Sequence, residues 1–208
     1  MDDTSLSLFP GEGLEPVAIP GAQVSYTPSL ALSPSADACL AALIEETPWR
    51  QDPITLFGKT VMQPRLHAWY GDEGAHYAYS GLALAPLPWT PLLSALKSQV
   101  EAACGHDFNS VLLNYYRDHR DSMGMHADDE PELGPEPVIA SLSLGEQRPL
   151  RFKHRHDREV ESVKLPLAHG SLLLMAGQTQ RNWHHGMAKQ ARPCGPRVNL
   201  TFRKILSR

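Results

Sequence analysis

The 208-residue sequence has only three cysteines, Cys39, Cys104 and Cys194, and no CxxC pair. Far apart and odd in number, they exclude a disulfide framework and a thiolate zinc site, and they suit reduced thiols in a cytosolic protein. Long apolar runs are missing too. The longest candidates, near Ser171–Ala176 and Val138–Leu144, are strand-sized, so no membrane association is expected. The Met-Asp-Asp start has no positive patch leading into an apolar stretch, which speaks against a secretory signal and for a cytoplasmic protein, or a nuclear one in a eukaryote. Internal repeats and low-complexity tracts are absent. With 42% hydrophobic and 20% charged residues, the chain is long enough for one globular core.

Net charge is −4, which as an average argues against a nucleic-acid partner. Its distribution points the other way. From Arg181 to Arg208 there are seven bases and no acid, and Arg148, Arg151, Lys153, Arg155 and Arg158 form a second cluster with His154 and His156 between them. One such cluster is usually a solvated face. Two clusters flanking a histidine-rich region favour an anionic partner.

Residues 1–30, rich in Pro, Gly and Ser, read as an extended N-terminal arm, and residues 31–208 as a single domain. Helices are predicted from Ser35, a good N-cap, to Glu46, and from Trp89-Thr90-Pro91 to Cys104. The rest reads as short strands: Ile54–Met62, His67–Tyr70, Ser110–Arg117, Val138–Leu144, Leu150–His154, Glu159–Leu165, Ser171–Met175, Trp183–Met187 and Arg197–Ile205. Many strands after a pair of helices give an α+β chain, a sandwich or barrel with helices packed on one side.

Ten histidines invite a search for a non-thiolate metal site. In His126-Ala127-Asp128, residues two apart on an extended backbone point the same way, so imidazole and carboxylate can converge on one ion. A third histidine from a distant strand would complete a facial triad whose other half stays open. His184 and His185 both qualify. Strand alternation puts them on opposite faces, and periodicity does not choose between them.

In Arg197-Val-Asn-Leu-Thr-Phe-Arg203, Val198, Leu200 and Phe202 share one face, while Arg197, Asn199, Thr201 and Arg203 share the other. That polar face is either a solvated surface or the interior of a barrel holding a dianion. A guanidinium binds carboxylate with two parallel hydrogen bonds and keeps its charge when buried, so 2-oxoglutarate is a suitable guest. Asn114 and Tyr116 share a strand face and can donate to the same anion.

With these motifs in place, the chain resembles the AlkB family of nucleic-acid dealkylating dioxygenases from about Phe57 to Leu206. The matching stretches are Phe57-Gly-Lys, Pro64-Arg65, Tyr70-Gly-Asp, Tyr77-Ala-Tyr-Ser-Gly81, Phe108-Asn-Ser-Val-Leu-Leu-Asn-Tyr-Tyr, His126-Ala-Asp-Asp-Glu130, Ile139-Ala-Ser-Leu-Ser-Leu-Gly145, Pro166-Leu-Ala-His-Gly-Ser-Leu-Leu-Leu-Met175, Trp183-His-His and Pro196-Arg-Val-Asn-Leu-Thr-Phe-Arg203. The resemblance implies a double-stranded β-helix (jelly-roll) core. It selects His185 as the third ligand beside His126 and Asp128, and it assigns Asn114, Tyr116, Arg197, Thr201 and Arg203 to 2-oxoglutarate. It implies Fe(II), 2-oxoglutarate and O2 as cofactors, with alkylated DNA, or RNA, as the partner of a monomeric repair enzyme. His169 matches a turn and is structural.

For the substrate, Tyr77 and Tyr79 share a strand face. They are either core or a stacking wall for a flipped base, and the resemblance favours the wall. It also places Asp129 and Glu130 near the base edge, where a carboxylate favours the positively charged 1-methyladenine or 3-methylcytosine. Phe57-Gly58 falls in a hairpin, beside Lys59. Phe57 is either core or a wedge into the base stack, and the resemblance favours the wedge. The Arg148–Arg158 cluster is then expected on phosphates. Competing readings are an RNA demethylase, a non-catalytic binder of damaged nucleic acid, and a cupin-like metal protein; the last leaves Arg197 with Arg203 unexplained.

Overall fold

The computed structural model describes residues 13–206 apart from 57, 76, 80, 81 and 85, with the side chains at 55, 56, 77–79 and 82–84 outside the description. The strands β1 (Glu15–Pro16) and β2 (Gln23–Thr27) precede helix α1 (Ala36–Glu46). Then come β3 (Pro53–Leu56), β4 (Lys59–Met62), β5 (Leu66–Gly71), β6 (Tyr77–Tyr79), β7 (Leu82–Leu84) and α2 (Pro91–Cys104). Eight further strands follow: β8 (Ser110–Tyr116), β9 (Met123–His126), β10 (Ile139–Gly145), β11 (Arg148–His154), β12 (Val163–Leu167), β13 (Ser171–Ala176), β14 (Trp183–Met187) and β15 (Arg197–Arg203), with a helical turn α3 (Thr179–Asn182) before β14.

These eight strands are dealt between two antiparallel sheets. The larger has seven strands in the order β1-β2-β13-β10-β15-β8-β5, and the smaller has four, β12-β11-β14-β9. That distribution is the double-stranded β-helix, with two sheets facing each other.

Three layers result from the period-two patterning. Ser35 and Thr90 cap the helices by accepting from the Ala38 and Leu93 N–H groups, and Pro91 opens α2 where no N–H is needed. Cys39 and Leu43 of α1 and Leu93, Leu96 and Val100 of α2 pack on the outer face of the large sheet, against Leu142, Val198, Leu200 and Phe202. Each such burial contributes about 1.5–3 kcal/mol. Between the sheets, Ile139, Leu173 and Met175 meet Leu150, Phe152, Leu167 and Trp183. That apolar plug fills the space in front of β10 and β13. The space in front of β8 and β15 is polar.

The described part of the arm, from residue 13 on, adds strands to the large sheet. Val17, Ile19 and Val24 are too few to show a period, yet β2 pairs with β13 and satisfies the main-chain groups of that edge. Ile19 and Val24 enter the core, and the Trp183 indole N–H donates to the Pro20 carbonyl at 2.9 Å. The strand expected at Glu159–Leu165 lies at Val163–Leu167, because pairing with β11 (Leu150 opposite Leu165, Phe152 opposite Val163) fixes its register. Ile54–Met62 is a hairpin of β3 and β4.

Candidate active site

β9 and β14 pair with His126 opposite His185, their rings 4.4 Å apart between centroids. Gly186 permits this approach. A Cβ there would sit 2.8 Å from the Gly124 oxygen and 2.9 Å from the Met125 sulfur, closer than side chains pack. β9 ends at His126, so Asp128 lies on the loop beyond it instead of sharing the strand. What holds it is the Gln180 side chain, whose oxygen accepts the Asp128 N–H at 3.0 Å, and Arg203, which donates to Oδ1 at 3.0 Å.

The ligand atoms of His126, Asp128 and His185 lie within 4.8 Å of one another. The separations are 3.6 Å from His126 Nε2 to Asp128 Oδ1 and 4.0 Å from His185 Nε2 to Asp128 Oδ2. His126 Nδ1 is 2.9 Å from the Gly124 carbonyl, which can only accept, so the ring proton sits on Nδ1 and Nε2 offers its lone pair. Burial pushes the Asp128 carboxyl up, but Arg203 and the two histidines outweigh it and hold the group at about 2. Burial and His126 push His185 down to about 3. A carboxylate beside a neutral imidazole is the state that ligates a metal. Asp128 Oδ2 is buried without a hydrogen-bond partner among the described residues, as a donor atom awaiting a cation is. The donor set, two imidazoles and one carboxylate, suits iron(II).

One cavity is lined by these three residues and by Asn114, Tyr116, Arg197, Thr201 and Arg203. All seven residues of β15 are buried, so its polar face looks into the barrel and away from water. Arg197 Nη2 donates to Ser143 Oγ at 2.8 Å, and Nε and Nη1 have no partner among the described residues. Burial pulls this guanidinium down to about 10, which leaves it charged at neutral pH. A buried cation with unpaired donors fits an anion. Gly145, at φ +91°, allows β10 to end against β15: a Cβ would collide with the Pro196 carbonyl next to Arg197.

Sequence reasoning missed several supports. Ser141 and Ser143 alternate along β10 and accept from Asn199 and Arg197; that alternation was the available signal. Arg65 Nε donates to Asn114 Oδ1 at 2.6 Å, which turns the Asn114 NH2 the other way. Gln180 had no signal at all. One expectation is corrected: Arg148, read as part of a phosphate-facing cluster, is wholly buried, while Arg151, Lys153 and Arg158 are exposed.

On the substrate side, Phe57 lies outside the described residues, as do the side chains of Tyr77 and Tyr79. Gly58 and Lys59 are exposed at the β3–β4 turn. Asp129 is half-exposed and ion-paired with Arg155 at 2.7 Å, whereas Glu130 has a buried Oε2 with no partner among the described residues. His184 takes the other face of β14, opposite Lys153. His169 is remote from the cluster and accepts from the Gly145 N–H at 2.7 Å, a structural role. A second cavity, of about 400 Å3, shares Asn114 and Arg203 with the first and has Trp49, Trp69, Leu112 and Ile205 in its walls.

The family model for the 2OG-Fe(II) oxygenase superfamily matches residues 23–203. The chain belongs to that superfamily and, within it, to the AlkB family. It is 46% identical over 178 residues to the mouse alpha-ketoglutarate-dependent dioxygenase alkB homolog 3, covering 82% of this chain and 62% of the relative. It is 46% identical over 159 residues to the human DNA oxidative demethylase ALKBH2, covering 74% of this chain and 61% of the relative. The chain thus spans less than two thirds of the length of these relatives. The solved structure of OsALKBH1 superposes with a TM-score of 0.62 over 92% of this chain and 99% of that one, at 18% identity, which shows the shared fold. No helix among the described residues is long and apolar enough to cross a membrane.

Proposed function

We propose that the chain oxidatively demethylates alkylated nucleic-acid bases of the 1-methyladenine and 3-methylcytosine type in DNA repair, as an Fe(II)/2-oxoglutarate-dependent dioxygenase. The carrying observation is one buried cavity holding both the His126, Asp128 and His185 donors and the unpaired N–H groups of Arg197. Bound there, iron(II) and 2-oxoglutarate supply the oxidising chemistry, in which dioxygen is consumed, the oxo acid becomes succinate and CO2, and the methyl group leaves as formaldehyde.

In this reading the protein ligates, orients and excludes water. Arg197 takes the far carboxylate of 2-oxoglutarate, with Tyr116, Asn114 and Thr201 around it. Arg203 stands at the metal end, tied to Asp128. The name of the human relative, DNA oxidative demethylase, supports DNA as the substrate. Glu130, with its unpaired buried oxygen, and Asp129 would face the cationic base, Tyr77 and Tyr79 would stack on it, and Phe57, Gly58 and Lys59 would enter the duplex from the β3–β4 turn. Residues 31–208 act as a single, monomeric domain to which β2 adds a strand, in the cytoplasm or, in a eukaryote, the nucleus.

The test is formaldehyde and succinate release with 1-methyladenine in single-stranded DNA, duplex DNA and RNA. Methyl loss from DNA matched by succinate is expected. Loss from RNA alone would replace the DNA reading, and no loss from any polymer would overturn it. A weak visible charge-transfer band on anaerobic addition of iron(II) and 2-oxoglutarate separates an enzyme from a non-catalytic binder.

A further inference from the structure

Arg148 begins β11 and is wholly buried. Its guanidinium donates to three main-chain carbonyls: Ala188 at 2.6 Å, Asp121 at 3.0 Å and Asp118 at 3.4 Å. Nε has no partner. Carbonyls satisfy donors but carry no net charge. The nearby carboxylates are engaged elsewhere, since Asp121 is held by Arg117 at 2.8 and 2.9 Å and Asp118 by Arg120 at 2.6 Å. Arg148 is therefore a guanidinium in the interior with no carboxylate within ion-pair distance among the described residues.

A second buried cation lies close by. The Arg148 guanidinium carbon is 5.5 Å from the centre of the Tyr116 ring, and that of Arg197 is 5.3 Å from the same ring. The hydrogen-bond partner of Arg197 is a hydroxyl, not a carboxylate. Arg203, by contrast, is paired with Asp128. Taking an ion out of water is costly, and two like charges near one ring add repulsion. Two uncompensated cations on one ring are an arrangement that the far carboxylate of a dicarboxylate would relieve and that a monocarboxylate, with its one carboxylate at the metal end, would leave standing.

We propose that Arg148 is a positioning residue of the co-substrate site: it supplies, from behind Tyr116, the second positive charge that makes the cavity prefer dicarboxylates to monocarboxylates. It does not line the cavity, so it acts through its field and through Tyr116. Its carbonyl bonds serve the same end. They tie the loop that follows Tyr116 at the end of β8 to the segment that follows His185 on β14, next to the ring that both cations approach. This inference rests on Arg197 binding 2-oxoglutarate.

The test is calorimetric binding to the full chain loaded with Mn(II), which avoids turnover. The probes are 2-oxoglutarate and 2-oxopentanoate, the same carbon chain without the far carboxylate. In Arg148→Met, affinity for 2-oxoglutarate should fall about tenfold or more, while 2-oxopentanoate changes less than about threefold. Arg148→Lys keeps the charge and loses carbonyl bonds; it should keep most of the preference while its Tm falls. Equal losses for both acids in Arg148→Met, or no loss, would overturn the proposal. Should Arg148→Met not fold, Arg148→Lys decides alone, and loss of its preference would sink the idea. A wild-type protein that bound both acids alike would instead overturn the reading of Arg197.

Discussion

Val198, Leu200 and Phe202 on one face of β15 and Arg197, Asn199, Thr201 and Arg203 on the other are all buried, at 0% and 1–8% exposure respectively. The apolar face meets α1 and α2 and is satisfied by contact alone. The polar face meets a cavity, and there two nitrogens of Arg197, Nε and Nη1, have no partner among the described residues. The first face holds the fold together. The second keeps binding capacity in reserve, in unpaired groups whose desolvation the first face must offset.

Substitutions that fall on one side only should break this contrast. The largest effect belongs to Asp128→Ala, which removes the one anionic donor of the triad and the carboxylate that accepts from Arg203 at 3.0 Å. Formaldehyde release should disappear and metal content, read by elemental analysis, should fall to background. Circular dichroism should still report the native fold, because the helix–sheet core is untouched. Wild-type-like turnover would refute the triad. Next comes Leu200→Ala on the apolar face, which leaves a cavity under the helices and should cost about 2–5 kcal/mol of stability by urea unfolding. The KM for 2-oxoglutarate in that variant should stay unchanged.

Arg197→Met reverses the pattern. It should weaken 2-oxoglutarate binding by about 1.5–3 kcal/mol, the worth of hydrogen bonds to a charged group, or roughly 10- to 100-fold. The ligand-free protein should be as stable as wild type or more so, since replacing an unpaired buried cation with an apolar chain of similar size removes a desolvation cost. A large loss of Tm in ligand-free Arg197→Met would show that the two faces are not separate in function.

The contrast was half legible in the sequence. Period two along 197–203 divides the faces, and the helices over the apolar one follow from Ser35, Thr90 and Pro91, which have local chemical reasons for their places. Alternation alone does not say whether a polar face meets water or a cavity; that depends on the small sheet, brought opposite by pairings across many residues. The choice of His185 over His184 has the same origin, since it is the pairing with β9 that sets His126 opposite His185. Arg148 was misread because a basic run looks solvated from the sequence. Gln180 escaped because a carboxamide that accepts one backbone N–H leaves no periodic trace.

The smallest effect should sharpen the contrast most. Ser143 is 1% exposed and its hydroxyl accepts one N–H of Arg197. Ser143→Ala removes that acceptor and frees one more donor on a guanidinium that already has two unpaired nitrogens. If Ser143 serves the fold, ligand-free stability should drop by about 1 kcal/mol, as for an ordinary buried hydrogen bond, and binding should not move. If it serves the cavity by aiming the guanidinium, affinity for 2-oxoglutarate should fall several-fold. Adding saturating ligand should then widen the Tm gap between variant and wild type, because ligand stabilises by RT ln(1 + [L]/Kd) and the weaker binder gains less. We expect the gap to widen. A gap that ligand leaves constant would move Ser143 to the structural face of the comparison.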